Sequence, residues 1–221
     1  AIAGTHGKST TTAMLAHILI QCELDPNFII GATCEQIGGG ARVGQSDMLL
    51  AEACEYDRSF HHLRPSVAAI LNVEEDHLDI YGSLDAIVEA FHGFAQLLPD
   101  AQAGGYLLIH HDRAQRTRVA AGLACTVQTI GFSPEADWQI RINDHVTLTD
   151  GGAVNVEFQP PLPGEHMAYN AAVACVLANR LGAPWQRIVP AIEAFAGLDR
   201  RMQYLGKPAG VDVVIDYGHH P

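Results

Sequence analysis

Ala3-Gly4-Thr5-His6-Gly7-Lys8-Ser9-Thr10-Thr11, close to the amino end of the chain, is a glycine-bounded turn that ends in Gly-Lys-Ser. Ala1-Ile2-Ala3 before it reads as the end of a buried strand. Thr10 to Cys22 after it carries Met14, Leu15, Ile18 and Leu19 at helical spacing. A loop between strand and helix aims free backbone N–H groups and the positive end of the helix dipole at one spot. Gly4 and Gly7 let that backbone approach an anion, Lys8 supplies charge, and the Ser9 hydroxyl is a ligand for Mg²⁺. The usual G-x-x-x-x-G-K-[ST] spacing places its first glycine at position 2, which here is Ile2. Composition sharpens the reading. Of the 13 basic residues only Lys8 and Lys207 are lysines, and one of them stands where a β/γ-phosphate needs a flexible ammonium.

Beyond the loop, short apolar runs alternate with amphipathic stretches. Phe28 to Gly31, Met48 to Ala51, Val67 to Leu71, Tyr106 to Ile109 and Val127 to Ile130 read as strands. Leu84 to Leu98 and Arg113 to Ala121 read as helices between them. That series predicts an α/β fold: a mostly parallel sheet flanked by helices, with right-handed connections. From Trp138 the pattern alternates in twos, through Val146 to Thr149 and Val154 to Phe158, with Asp150-Gly151-Gly152 as a hairpin turn. A small antiparallel subsheet is expected there. Helices at about Met167 to Leu181 and Pro184 to Ala196 follow, then strands at Gln203 to Gly206 and Val211 to Asp216.

Two further segments sit where strands end, the edge at which open α/β sheets bind ligands. Leu49-Leu50-Ala51 delivers Glu52 to a strand terminus, with Cys54, Glu55, Tyr56 and Asp57 behind it. Ile70-Leu71-Asn72-Val73-Glu74-Glu75-Asp76-His77-Leu78-Asp79 ends another buried strand in carboxylates and a histidine. Mg²⁺ takes carboxylate, hydroxyl and water oxygens, so Ser9, Glu52 and His77 form a candidate metal set drawn from three strand ends.

A formal net charge of −12 argues against a nucleic-acid surface. The longest apolar runs are too short to span a bilayer, so no membrane partner is expected. Five scattered cysteines without a C-x-x-C pair fit reduced thiols and a cytoplasmic setting. A chain of 221 residues can bury roughly 70% or more of its extended surface, enough for one large domain or two small ones.

On these motifs the chain resembles the central, ATP-binding domain of the Mur ligases, the amide-forming enzymes of peptidoglycan precursor synthesis. The Gly4–Ser9 loop is similar to the family's P-loop, Glu52-Ala-Cys-Glu to its acidic strand end, and Asn72 to Asp79 to its Asn-x-x-x-Asp-His-x-Asp segment. Gly164-Glu165-His166-Met167-Ala168-Tyr169-Asn170 resembles its adenine-side segment. Arg200-Arg201 and the ending Asp216-Tyr-Gly-His-His-Pro221 match two further patterns. The resemblance implies ATP and Mg²⁺, with Gly4, Thr5, His6, Gly7, Lys8, Ser9 and Thr10 around the phosphates. It implies Lys8, His77 and Arg201 at the reacting groups, and Ser9, Glu52 and His77 on metal. His166 and Asn170 would face the adenine, and Asp216 and His219 would lie at a hinge to a following domain. Other Mur ligases carry a carbamylated lysine near the second metal, and this chain has no lysine in that region.

Within the family the pattern is most similar to the members that join L-alanine to UDP-N-acetylmuramate through an acyl phosphate. The tripeptide-recycling members are the nearest competitor. The resemblance further implies a central domain whose sugar-nucleotide and amino-acid domains lie outside the 221 residues, leaving ligation incomplete in this chain alone. Three positions depart from the pattern: Met167 replaces Asn, Ile215 replaces an Asp, and Cys54 replaces the commoner Asp. A non-catalytic nucleotide-binding module is an alternative from a different class, and a P-loop kinase or GTPase another; no N-K-x-D guanine signature is present. His61-His62 and His110-His111 read as surface or strand-edge pairs, Gly38 to Arg42 as a turn or a substrate-facing loop, and Trp138 as packing for the antiparallel strands.

Overall fold

The computed structural model describes residues 1–201 and 203–216. The expected hinge residue His219 lies outside them. In chain order the elements are β1 (Ile2–Ala3), α1 (Lys8–Gln21), β2 (Asn27–Ile29), β3 (Ala41–Arg42), β4 (Leu49–Ala51) and β5 (Val67–Ile70). Then come α2 (Leu78–Tyr81), α3 (Leu84–Ala95), β6 (Tyr106–His110), α4 (Arg116–Val119), β7 (Thr126–Gly131) and β8 (Trp138–Ile142). The last are β9 (Val146–Thr149), β10 (Asn155–Phe158), α5 (Glu165–Arg180), α6 (Trp185–Glu193), β11 (Gln203–Gly206) and β12 (Val213–Ile215).

Seven strands form the main sheet in the order β1-β5-β6-β7-β8-β9-β10. β1 through β8 pair in parallel, while β9 and β10 fold back antiparallel. The alternating segment after Trp138 is therefore an antiparallel extension of the main sheet. β3-β2-β4 is a three-stranded sheet. It joins the main sheet through a parallel bridge between Ile2 and Glu52, where the Ala53 amide donates to the Ile2 carbonyl at 2.8 Å. β11 and β12 pair separately as an antiparallel ribbon.

Period-2 alternation assigns the two faces of the sheet. Ala69, Leu71, Tyr106 and Leu108 belong to one core, shared with buried residues of α1, α5 and α6. Ala68, Ile70, Leu107 and Ile109 belong to the other, shared with α3 and Phe60. Phe60 stacks on Phe94 at 4.9 Å and meets Phe91 edge-on at 5.2 Å. Such pairs contribute about 0.5–1.5 kcal/mol each beyond area burial. They pin the turn that follows Glu55.

Helix α1 differs from the one-sided helix that its spacing suggests. Every residue from Ser9 to Leu19 is buried, because α5 and α6 cover the side that an outer helix would leave to solvent. It also starts two residues earlier than expected, at Lys8. Gly7, at φ 86°, turns the chain from loop into helix in a left-handed conformation that a Cβ disfavours. The Thr12 hydroxyl donates back to the Lys8 carbonyl at 2.8 Å, which removes one polar cost of burying threonine in a helix. No helix among the described residues is long and apolar enough to cross a membrane.

Candidate functional site

The carboxyl ends of β1, β4, β5 and β6 deliver the loops Gly4–Gly7, Glu52–Glu55, Asn72–His77 and His110–Arg113 to one edge. Asn72 shapes the first of these. Its carbonyl accepts the Thr5 N–H at 3.1 Å, its Oδ1 accepts the His6 N–H at 2.7 Å, and its Nδ2 donates to the His6 carbonyl at 3.1 Å. The Thr5 hydroxyl accepts the Glu74 N–H at 3.0 Å. The loop is thus laced to the segment that follows β5. Its glycines are there for close approach: a Cβ on Gly4 would lie 3.0 Å from the Leu71 Cβ, and one on Gly7 would lie 2.8 Å from the Asn170 Oδ1. No side chain caps the start of α1, and the first N–H groups of any helix lack intrahelical acceptors. That is the makings of an anion site.

The three expected metal ligands fall into two groups. The Ser9 hydroxyl donates to Glu52 Oε1 at 3.0 Å, and Glu52 Oε2 accepts the Gly31 N–H at 2.7 Å. His77 stands elsewhere, with Glu55 and Asp76: one ligand atom from each lies within 4.8 Å of the others. The His77 N–H donates to Asp76 Oδ1 at 2.7 Å, and its Nε2 is 3.6 Å from Asp76 Oδ2. Both donor sets are dominated by oxygen, with a hydroxyl in the first and one imidazole in the second, so they fit a hard divalent cation such as Mg²⁺ or Mn²⁺.

Backbone strain gathers here as well. Asp57, Arg58 and His77 hold left-handed φ values of 48°, 54° and 49°. Each costs on the order of 1 kcal/mol, and such costs persist where the surroundings over-determine the geometry. The Tyr81 hydroxyl donating to the Glu55 carbonyl is one such constraint.

Lys8 lies between the two groups. Its ammonium donates to the Gly4 carbonyl at 2.7 Å, the Thr5 carbonyl at 3.1 Å and Glu55 Oε1 at 2.9 Å, with Oε2 at 2.8 Å. The side chain of Glu55 is 4% exposed, which makes this a buried ion pair. Glu55 and Asn72 stand inside the two strand-end motifs, and their tasks emerge only from these contacts. The available signal was proximity in sequence: Glu55 is three residues after Glu52, and Asn72 five before His77.

A cleft of about 400 Å³ opens beside the loop. His6, Gly7, Thr10, His166, Asn170, Arg201 and Asp216 line it, so these sequence-expected residues share one cavity. Asn170 sits directly against Gly7, at the end of the Gly4–Gly7 loop. Met167, one of the departures from the family pattern, also lines the cleft.

Of the expected surface or strand-edge positions, His110 takes the second: it closes β6 and is buried at 5% exposure in the cleft wall, not at the surface. Its ring stacks on Tyr169 at 4.1 Å, and its Nδ1 accepts the Asp112 N–H at 3.1 Å. Burial, helped by the Arg113 charge, lowers its pKa to about 4, so the ring is neutral at pH 7. The other flagged features behave as ordinary structure. His61 bonds the Ala90 carbonyl and stacks on Phe60, Gly38 and Gly39 make a positive-φ turn, and Trp138 packs against Trp185.

Comparison with known proteins places these features in a family. Residues 2–178 match the family model described as Mur ligase middle domain. The chain is 44% identical over 230 residues to the UDP-N-acetylmuramate--L-alanine ligase of Paenarthrobacter aurescens, covering 100% of the chain and 49% of that protein. It is 40% identical over 230 residues to the ligase of the same name from Streptomyces coelicolor, covering 100% and 49%. Among solved structures it is similar to the UDP-N-acetylmuramate:L-alanyl-gamma-D-glutamyl-meso-diaminopimelate ligase of Neisseria meningitides, with a TM-score of 0.78 and 30% identity over 88% of this chain and 64% of that one. The chain spans about half the length of the curated relatives it matches. With residues 2–178 matched by that model, the chain belongs to the Mur ligase family and carries its middle domain.

Proposed function

We propose that this domain binds ATP and divalent metal within a ligase that joins L-alanine to UDP-N-acetylmuramate during peptidoglycan precursor synthesis. The observation that carries the reading is the convergence of Lys8, Ser9, Glu52, Glu55 and His77 on one sheet edge beside the cleft. The names of the relatives at 40–44% identity support L-alanine over the tripeptide. Since the chain covers about half of those relatives, the sugar nucleotide and the amino acid are assigned to parts of the protein outside these 221 residues. A cytoplasmic setting follows from the need for ATP and agrees with five free cysteines.

The chemistry explains the parts. A carboxylate is a poor electrophile, so transfer of the γ-phosphoryl group to its oxygen makes an acyl phosphate and releases ADP. The amine then attacks the carbonyl carbon, phosphate leaves, and the amide remains. Phosphoryl transfer is chiefly positioning and charge neutralisation. Lys8 and the first turn of α1 would hold the β- and γ-phosphates, Arg201 would face them across the cleft, and His166 and Asn170 would meet the base. Ser9 with Glu52, and His77 with Glu55 and Asp76, would hold the metal ions, which offset phosphate charge in an acidic chain.

Calorimetry of Mg-ATP binding tests the reading. A saturable single site is expected, with Lys8→Met weakening it by at least about tenfold, the loss of one charge-assisted phosphate contact. Equal affinity in the Lys8→Met protein would overturn it.

A further inference from the structure

The ammonium of Lys8 has three N–H donors, and the structure uses all of them on the Gly4 carbonyl, the Thr5 carbonyl and the Glu55 carboxylate. A lysine so engaged has no donor left for a phosphate. To serve a nucleotide it must give up a partner, and Glu55 is the one whose loss matters most. That carboxylate is almost fully buried, and a buried charge stripped of its counter-ion is strongly destabilising. A second cation must therefore take its place. The ligands for one are already at hand, since Glu55, Asp76 and His77 bring their donor atoms within 4.8 Å of one another. The main chain at Glu55 is held by the Tyr81 hydroxyl and by the Arg58 N–H bond to the Glu55 carbonyl at 2.9 Å. Only the side chain needs to turn.

We propose that Glu55 is an exchange residue: it holds the Lys8 ammonium when nucleotide is absent, and passes to a divalent cation shared with His77 when Lys8 moves to the phosphates. This rests on the ATP- and metal-binding reading above and adds a coupling to it. Nucleotide and the His77-side cation bind with positive cooperativity, and by linkage each strengthens the other equally. Glu55 also supplies, in a chain without a mid-domain lysine, an anionic partner for the His77-side cation. Lys8 serves as the internal placeholder for that cation. Glu52, bonded to Ser9 and Gly31, takes no part in the exchange.

The test uses the protein carrying this domain, with two probes titrated separately: ATP in the presence of EDTA, by calorimetry, and Mn²⁺ in the absence of nucleotide, by electron paramagnetic resonance. If Lys8 is held by Glu55 nine-tenths of the time, apparent affinities fall about tenfold below their intrinsic values. Glu55→Gln is then expected to strengthen metal-free ATP binding by about tenfold, a gain that vanishes in Lys8→Met/Glu55→Gln. Lys8→Met is expected to strengthen nucleotide-free Mn²⁺ binding by about tenfold, again cancelled in the double variant. A purely structural role for Glu55 moves neither titration in this paired way. Lys8→Met binding Mn²⁺ no tighter than the unmodified protein would overturn the exchange, as would a Glu55→Gln gain that persists without Lys8. Should one variant fail to fold, the other arm decides alone. Absence of Mg-ATP binding by the unmodified protein would overturn the exchange and the underlying reading together. Normal Mg-ATP binding with flat variant titrations would overturn the exchange alone.

Discussion

His110 shows how a single residue can make the cleft sensitive to pH. Its folded pKa of about 4 lies below the ordinary 6.5 of a histidine, so the unfolded chain takes up the proton first on acidification. The stabilising contribution is complete above pH 6.5 and is lost as pH falls from there toward 4. The size is about 3 kcal/mol, from some two pKa units at ~1.4 kcal/mol each. His17, buried in α1 and also shifted down by burial, adds a loss of the same sign. Urea unfolding at pH 7.0 and pH 4.5 is expected to show this drop, and His110→Asn to reduce it. An unchanged pH slope in His110→Asn would refute the assignment.

At the level of elements, the turn bearing Glu55 is held by aromatic packing a few residues on. Phe60 is 1% exposed between Phe91 and Phe94, so Phe60→Ala is expected to cost about 3–5 kcal/mol. Thermal or chemical unfolding checks that cost. Because the turn carries Glu55 toward Lys8, metal-free ATP binding should change with it while the Ser9–Glu52 contact survives.

The parallel strands were legible because most are short apolar runs, and the polar residues that follow them located Glu52 at the end of β4 and His77 in the loop after β5. Antiparallel β8–β10 was legible from its alternation, but its union with the main sheet depends on pairing between β7 and β8, which no local pattern encodes. The burial of α1 on all sides was not legible either, since it reflects where α5 and α6 dock. At the site, the residue types were readable and the pairings were not. Nothing in the spacing tells that Ser9 meets Glu52 while Lys8 meets Glu55. Those choices are made by loops that only the assembled sheet edge brings together. The burial of His110 was hidden for a related reason: a histidine ending a strand becomes a cleft wall only when Tyr169 of α5 stacks on it.

Across the whole molecule, the proposed nucleotide site asks a domain with a formal net charge of −12 to hold polyphosphate at one sheet edge. Long-range attraction is absent, so binding depends on the local cradle and on cations. Removal of metal by EDTA is accordingly expected to lower ATP affinity by at least about tenfold, the reciprocal of the metal's coupling to nucleotide. The domain covers about half of its relatives' length, and under the proposed function its ATP chemistry would need a carboxylate and an amine presented to it. The most direct measurement is therefore ADP and amide formation by the longer protein containing this domain, supplied with Mg-ATP, UDP-N-acetylmuramate and either L-alanine or the L-alanyl-γ-D-glutamyl-meso-diaminopimelate tripeptide. The account predicts amide product with L-alanine, little with the tripeptide, and none after Lys8→Met. ATP-dependent joining of the tripeptide in preference to L-alanine, or amide formation that survives Lys8→Met, would contradict it.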